Sequence, residues 1–491
     1  MPATETPFFF QELNYHLRTF GCQMNKHDSE RLAGQLEALG AHAVETIEQA
    51  DVVIFLTCCV REAADVRLLG QVASLKNLPP RSPDGRRIIA VGGCIGQRDG
   101  EKLVQQLPHI DIVFGTHNIA HFPALLNAAL GQAPARPAPS PARPAHPAPA
   151  RPAPATARPA RPAQVEVVSD DQADALESST YDLPLEREQA WHAWLPIMTG
   201  CNNYCSYCVV PYVRGRERSR PLDDVRREAE ALVADGVLEI TLLGQNVNSY
   251  GRDLYGQPRF AQALRAIGAT GVKRLDFATS HPKDLSPATI AAFAEEPSVM
   301  PHLHLPVQSG SDSILKAMNR HYTAAHYRSL VADLRAACVA AGKGQIALST
   351  DIIVGFPGET ASDFEATYEL VRETGFAQVF TFIYSQRAGT PAAALADDTP
   401  RELVQERFDR LVELVQQTAW EQNQPALGQV LNVLIDGPSK RDPRMLAGKS
   451  ERNQTVHALL PDGAQAQNYA GRIVPVLVTE AKTWYLRGEL A

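Results

Sequence analysis

The chain has 491 residues, is 44% hydrophobic and carries a formal net charge of −8 at pH 7. That length is too great for one core and predicts two or three domains. The acidic balance excludes a wholly basic nucleic-acid binder but leaves room for a local basic patch. No run of 18 apolar residues marks a membrane span, and the N-terminal MPATETPFFF lacks the basic start and long apolar core of a secretory signal. The expectation is a cytoplasmic protein with no membrane partner. Eight cysteines in such a chain point to metal binding or catalysis rather than disulfides.

From residue 15 to 130, strand-like and helix-like segments alternate. Residues 15–20, 51–57, 87–91 and 111–114 read as strands, the second being the buried apolar run DVVIFLT. Residues 27–39 read as a helix with Leu32, Leu36 and Leu39 inward and Glu30, Arg31 and Glu37 outward; residues 61–76 read as another. This order predicts a doubly wound parallel sheet over residues 13–131. Cys22, Cys58 and Cys94 each follow a strand and are 36 residues apart. Open parallel sheets bind ligands beyond the carboxyl ends of their strands, so distant thiols can converge there. Three buried core cysteines are the plainer alternative.

Residues 132–163 are an Ala/Pro run with five arginines and no acid, and residues 165–190 hold eight acids and one arginine. Dense proline forbids helix and favours extended chain. Residues 132–190 therefore read as a disordered, semi-rigid linker, with an arm attracting RNA phosphates as the sharper alternative.

Across residues 191–424, strand-like runs recur at 194–198, 239–243, 274–279, 302–306, 345–353 and 379–384, with helical stretches such as 223–235 and 324–341 between. Six such units suit a partial (β/α)6 barrel, whose chemistry sits at the carboxyl ends of the strands. Directly after the first strand come Cys201, Cys205 and Cys208, spaced CxxxCxxC, with Tyr207 before the last. Three thiolates this close cannot all pair as disulfides but can grip a metal centre from one face. A structural zinc ion normally takes four protein ligands. An iron–sulfur cube held by three cysteines keeps one iron open for a small molecule. A zinc knuckle or unrelated thiols are the alternatives. His302 and His304 share a strand face and either line a cavity or sit satisfied in the core. Cys338 lies alone in a helical run and reads as a small buried hydrophobe.

Residues 425–491 break into short strands at 430–435, 455–460, 473–479 and 483–488, a small all-β barrel. The stretch 439–452, read as loop, holds Lys440, Arg441, Arg444, Lys449 and Arg452 against Asp442 and Glu451. It offers phosphate contacts, a solvated charged loop being the alternative.

The motifs GCQMN, TCCVRE, GGCIGQ, GCNNYCSYCVVPYVRGRERSR, LLGQNVNSYG, HLHLPVQSGSD and TDIIVGFPGET together resemble those of the methylthiotransferase family of radical S-adenosylmethionine (SAM) enzymes. The resemblance spans nearly the whole chain outside the proline-rich run. It is similar in particular to the branch that makes 2-methylthio-N6-dimethylallyladenosine at position 37 of tRNA. It implies an N-terminal domain holding one [4Fe–4S] cluster on Cys22, Cys58 and Cys94. It implies a radical SAM barrel holding another on Cys201, Cys205 and Cys208, with SAM contacts at Gly244, Gln245, Asn246, Asp351 and Gly355. It implies a C-terminal TRAM domain that binds tRNA, for which Lys440, Arg441 and Arg444 are the candidate residues. The family's reaction uses two SAM molecules, one giving a methyl group to sulfur on the N-terminal cluster, the other cleaved reductively to a radical that takes hydrogen from C2 of the adenine. An electron donor and a sulfur donor are implied as partners, and a monomer is expected.

Departures from the family pattern are Leu56 in place of Asn, Cys59 after Cys58, and Ile95-Gly96 in place of Met-Ala; Cys58 is expected to be the ligand and Cys59 to face away. Asn202-Asn203 resembles the dimethylallyl branch, because relatives acting on threonylcarbamoyladenosine or on a ribosomal protein usually carry a basic pair there. Those two activities are the alternatives, and a non-catalytic iron–sulfur RNA-binding protein is the alternative of a different class.

Overall fold

The computed structural model describes residues 10–58, 62–78, 87–131, 163–170, 181 and 183–491. Cys59 and most of the proline-rich run lie outside the described residues. The chain forms two compact units, Met1–Glu186 and Arg187–Ala491. Among the described residues, no helix is long and apolar enough to cross a membrane.

The first unit is built on β1 (Asn14–Phe20), β2 (His42–Ala43), β3 (Val52–Thr57), β4 (Ile88–Gly93), β5 (Ile112–Phe114) and β6 (Gln164–Glu166). Their order is β2-β1-β3-β4-β5-β6, all parallel. Val52, Ile54 and Leu56 of β3 pack into one core with Leu32, Leu36 and Phe122, while Val53 and Phe55 pack into a second with Leu68, Val72 and Leu103. Burial on both faces is why β3 shows no polar alternation. The strand order reverses between β1 and β3, the switch point at which open α/β sheets bind ligands.

Two expectations need correcting here. The linker expected over 132–190 is not unstructured throughout: β6 adds to the sheet beside β5, and Glu186 N–H donates to Glu30 O at 3.1 Å. A Cβ on Gly34 would stand 2.3 Å from Pro184 O, so this returning chain lies directly on the helix Gln23–Ala38. It covers the face expected to be outward, leaving Glu30 and Arg31 only 7% and 5% exposed, with the Arg31 guanidinium donating to Leu183 O.

The second unit opens with β7 (His192–Pro196), followed by a ribbon of β8 (Met198–Thr199) and β9 (Arg218–Ser219), then β10 (Glu239–Leu243), β11 (Arg274–Phe277), β12 (His302–His304), β13 (Ala347–Val354) and β14 (Gln378–Ile383). Parallel sheets β11-β10-β7 and β12-β13-β14 are joined by a bridge from Leu275 to Val299, making the expected six-stranded partial barrel. His302 and His304 do share a face, and both are bonded: His302 to Asp276 at 3.4 Å, His304 to Ser349 at 3.0 Å.

The chain ends in a closed barrel, β15-β16-β17-β19-β18. Its strands are β15 (Val430–Pro438), β16 (Met445–Ser450), β17 (Thr455–Leu459), β18 (Ile473–Ala481) and β19 (Leu486–Leu490). β16 runs through the stretch read as loop. Its buried positions are Leu446, Gly448 and Ser450, so only one is large and apolar and the alternation is faint. A Cβ on Gly448 would sit 2.2 Å from Leu434 O, so the close pairing of β16 with β15 demands that glycine.

Arg274, 2% exposed, ties the two barrels together by donating to Lys449 O at 2.8 Å and Asn432 O at 2.7 Å. Glu239 lies 3.6 Å from it. Burial first, then Asp276, push the Glu239 carboxyl up to about 7 against the pull of Arg274. The folded pKa of this acid is raised, so folding takes up a proton. Stability should fall as pH rises from the ordinary carboxylate range to about 7, and level off above. Glu239→Gln is expected to flatten that slope. Thermal unfolding at pH 5.5 and 8 checks it, and an unchanged slope would contradict it.

Candidate active site

Register brings Phe20 of β1, Thr57 of β3 and Gly93 of β4 side by side. Cys22, Cys58 and Cys94 follow two, one and one residues later, so neighbouring strands deliver three thiols to one edge of the sheet. Cys22 caps the helix Gln23–Ala38 in extended conformation, Cys94 opens the helix Cys94–Asp99, and Cys58 N–H donates to Phe20 O at 3.1 Å. Gly21 has φ +114°, and a Cβ there would lie 2.2 Å from Cys58 Cβ, so the glycine of GCQMN is required by this approach. The Cys58 thiol is pushed far upward by hydrogen bonding with Cys22 and then Cys94, and by burial. Cys58 and Cys94 are buried and Cys22 is exposed.

The barrel loop is equally constrained. Gly200 has φ +75°, and a Cβ there would lie 1.8 Å from Arg216 O. Cys201 N–H donates to Gly215 O at 3.1 Å. Asn202 N–H donates to Glu217 Oε1 at 3.3 Å while Glu217 N–H donates to Asn202 Oδ1 at 3.2 Å. Tyr204 takes a left-handed φ of +46°, held by Asn319 Nδ2 donating to its carbonyl at 2.9 Å. Burial, with Cys205 close by, pushes Cys201 up to about 11 and Cys208 up to about 12. The low-dielectric surroundings thus favour the neutral thiols of Cys201 and Cys208.

Among the described residues, no three His, Cys, Asp or Glu side chains are drawn up to hold one metal ion. A cluster makes a different demand, since it spreads its thiolates over separate irons. Two all-thiol sets on glycine-cleared loops fit that soft chemistry.

Beyond the barrel thiols, the carboxyl ends of β10 and β11 carry polar atoms that are buried and unpartnered: Gln245 Oε1, Asn246 Oδ1, both amide atoms of Asn248, Ser280 Oγ and His281 Nε2. Each such atom costs about 1–3 kcal/mol unless something meets it. Together they form a ready site for a polar ligand. Asn246 is aimed by donating from Nδ2 to Asp284 Oδ2 at 2.8 Å. His281 Nδ1 accepts from Lys283 N–H at 3.2 Å, which leaves the proton on Nε2, and burial holds the imidazole neutral. Sequence reasoning missed Ser280 and His281; the available signal was the polar pair directly after the third barrel strand.

The other candidates divide. A Cβ on Gly244 would meet Met198 Cγ at 2.7 Å. Asp351 lies on β13 with its carboxylate 3.7 Å from His304 Nε2. At Gly355 the amide donates to Glu359 Oε2 at 2.9 Å, Glu359 pairs with Arg407 at 3.0 Å, and a Cβ would strike Val404 at 2.5 Å. The close approach that this glycine permits is to the helix Arg401–Asn423, so its amide and its missing side chain serve packing. On the C-terminal barrel, Lys440, Arg441 and Arg444 are exposed between β15 and β16, with Arg444 paired to Asp442 at 3.0 Å. Lys449 is half-buried and donates to Thr455 Oγ1 at 3.0 Å, and Arg452 is half-buried too.

A partial six-stranded barrel with CxxxCxxC after its first strand defines a radical SAM protein, and residues 195–371 match the radical SAM superfamily. Residues 14–115 match Uncharacterized protein family UPF0004 and residues 426–491 the TRAM domain. The chain is similar in fold to the radical SAM methyltransferase TsrM of Kitasatospora setae, solved with tryptophan and a SAM analogue, at a TM-score of 0.51 and 12% identity over 77% of this chain and 75% of that one. Much nearer in sequence are proteins named tRNA-2-methylthio-N(6)-dimethylallyladenosine synthase. That of Streptomyces viridosporus is 44% identical over 97% of this chain and 87% of its own. Those of Acidothermus cellulolyticus and Thermoanaerobacter pseudethanolicus are 45% and 42% identical over 98% of this chain, and 87% and 93% of their own. The chain belongs to the family of tRNA-2-methylthio-N(6)-dimethylallyladenosine synthases. As a radical SAM enzyme it uses SAM and a [4Fe–4S] cluster.

Proposed function

We propose that the protein methylthiolates C2 of N6-dimethylallyladenosine at position 37 of tRNA, in the cytoplasm and as a monomer, using two [4Fe–4S] clusters. Cys201, Cys205 and Cys208 would hold one, and Cys22, Cys58 and Cys94 the other. The observation that carries this reading is the pair of all-thiol sets, each at the carboxyl edge of its own parallel sheet. When bound, SAM and the clusters supply a carbon radical strong enough to take hydrogen from an aromatic ring, and the sulfur that replaces it; no acid–base side chain could do either. An external electron donor and sulfur donor complete the reaction.

The chain's own groups do the holding. Gln245, Asn246, Ser280 and His281 offer acceptors and one N–H to the polar end of SAM. Lys440, Arg441 and Arg444 would take tRNA phosphates, which position the RNA without specifying the base. The dimethylallyl branch is favoured by Lys283, whose ammonium donates to Asn203 Oδ1. A basic residue at position 203, usual in the other branches, would face that ammonium.

The test is nucleoside mass spectrometry of tRNA from cells lacking this protein. N6-dimethylallyladenosine should accumulate and its 2-methylthio derivative disappear. An undiminished derivative would overturn the proposal.

A further inference from the structure

We propose that Arg320 is the built-in counter-charge of the barrel cluster, a positioning residue that sets how readily that cluster is reduced. The inference rests on the assignment of that cluster to Cys201, Cys205 and Cys208. Arg320 is 3% exposed. Its Nε donates to Tyr322 Oη at 2.8 Å, one terminal nitrogen to Pro306 O at 2.6 Å, and the other to Cys205 Sγ at 3.5 Å. Among the described residues, no carboxylate lies within ion-pair distance of it. A guanidinium cannot shed its proton, and a buried charge without an opposite charge is strongly disfavoured. The neighbouring imidazole of His281, packed edge-on against Tyr322 at 5.7 Å, brings no negative charge. The anion that this cation answers is therefore the thiolate set itself.

The backbone is bent to put it there. Asn319 and His321, on either side of Arg320, both take left-handed φ values, +59° and +56°. Such conformations are costly for residues other than glycine and persist where the surroundings enforce them. The same turn is locked to the cluster loop, since Ser206 N–H donates to Met318 O at 3.0 Å and Asn319 Nδ2 to Tyr204 O at 2.9 Å. Strain on both sides of one buried cation, strapped to the loop that carries the cysteines, is a device for placing charge.

Reduction takes one electron from a low-potential one-electron donor and turns [4Fe–4S]2+ into [4Fe–4S]+. With three thiolates the net charge goes from −1 to −2, and no proton is needed. A fixed positive charge beside one sulfur favours the more negative state and raises the potential.

The test uses the full chain with Cys94→Ala, so that only the barrel set is complete, reconstituted anaerobically with iron and sulfide and titrated with dithionite under electron paramagnetic resonance. Arg320→Met and Arg320→Gln should lower the reduction equilibrium constant at least tenfold, a midpoint about 59 mV more negative for one electron. Arg320→Lys, which keeps the charge, should stay within threefold of the parent. Loss of the cluster from the Met and Gln variants alone, with their iron-free forms folded, would equally support the charge. An unmoved potential, or Lys shifting as far as Met, would overturn it. So would failure of the iron-free Met and Gln variants to fold, because the guanidinium would then be needed without any cluster. Absence of a reducible cluster in the Cys94→Ala parent overturns the cluster assignment as well, which separates the two failures.

Discussion

Cys94→Ala is expected to leave a folded protein that still cleaves SAM and makes no methylthiolated nucleoside. The thiol lies one residue past β4, beside Cys58 one residue past β3, and the paired Thr57 and Gly93 fix that adjacency. Removing it leaves two thiols, and a cube held at three corners loses its seat. Fold should survive, since a buried Cys-to-Ala change removes one small apolar group, and such changes cost about 1 kcal/mol. Bound iron should drop from about eight to about four per chain by cluster stoichiometry. Cys205→Ala should likewise halve the iron, but it removes SAM cleavage altogether, because the barrel set is the one assigned to SAM. Iron near four in the parent and unchanged by Cys94→Ala would leave only one cluster, and the N-terminal thiols would then need another role.

The sequence made the parallel sheets legible because their strands are covered on both sides. β3 reads as an apolar run, and cysteines or glycines at strand ends stand out against such runs. The short additions were hidden. β6 is three half-buried residues inside an acidic stretch, and composition averaged over that stretch says nothing about one backbone pairing. β16 carries Gly448 and Ser450 on its buried face, so the period of two has little apolar signal to show. Glycines announced a close approach but not its partner: Gly21 makes room for Cys58, whereas Gly355 makes room for Val404. The groups found only in the structure, His281 and Arg320, lie in loops after the third and fourth barrel strands. What singles them out is an unpartnered N–H in one case and a buried charge without a carboxylate in the other. Neither property is visible in a residue's type or its neighbours in sequence.

Choice of substrate has the other large expected effect. Asn202 is tied reciprocally to Glu217, and Asn203 accepts from Lys283, so the two residues expected to mark this branch are structurally fixed beside the barrel cysteines. The loop there is neutral at two positions where the other branches are usually basic, and an apolar dimethylallyl group has no carboxylate for a basic pair to meet. A threonylcarbamoyl group does. The most direct measurement offers the purified, anaerobically reconstituted protein, with SAM and dithionite, tRNA carrying either N6-dimethylallyladenosine or N6-threonylcarbamoyladenosine, and follows the nucleosides by mass. Methylthiolation of the dimethylallyl form, with the threonylcarbamoyl form returned unchanged, is the predicted result. Methylthiolation of the threonylcarbamoyl form alone would contradict the substrate assignment while leaving the radical chemistry of the barrel in place.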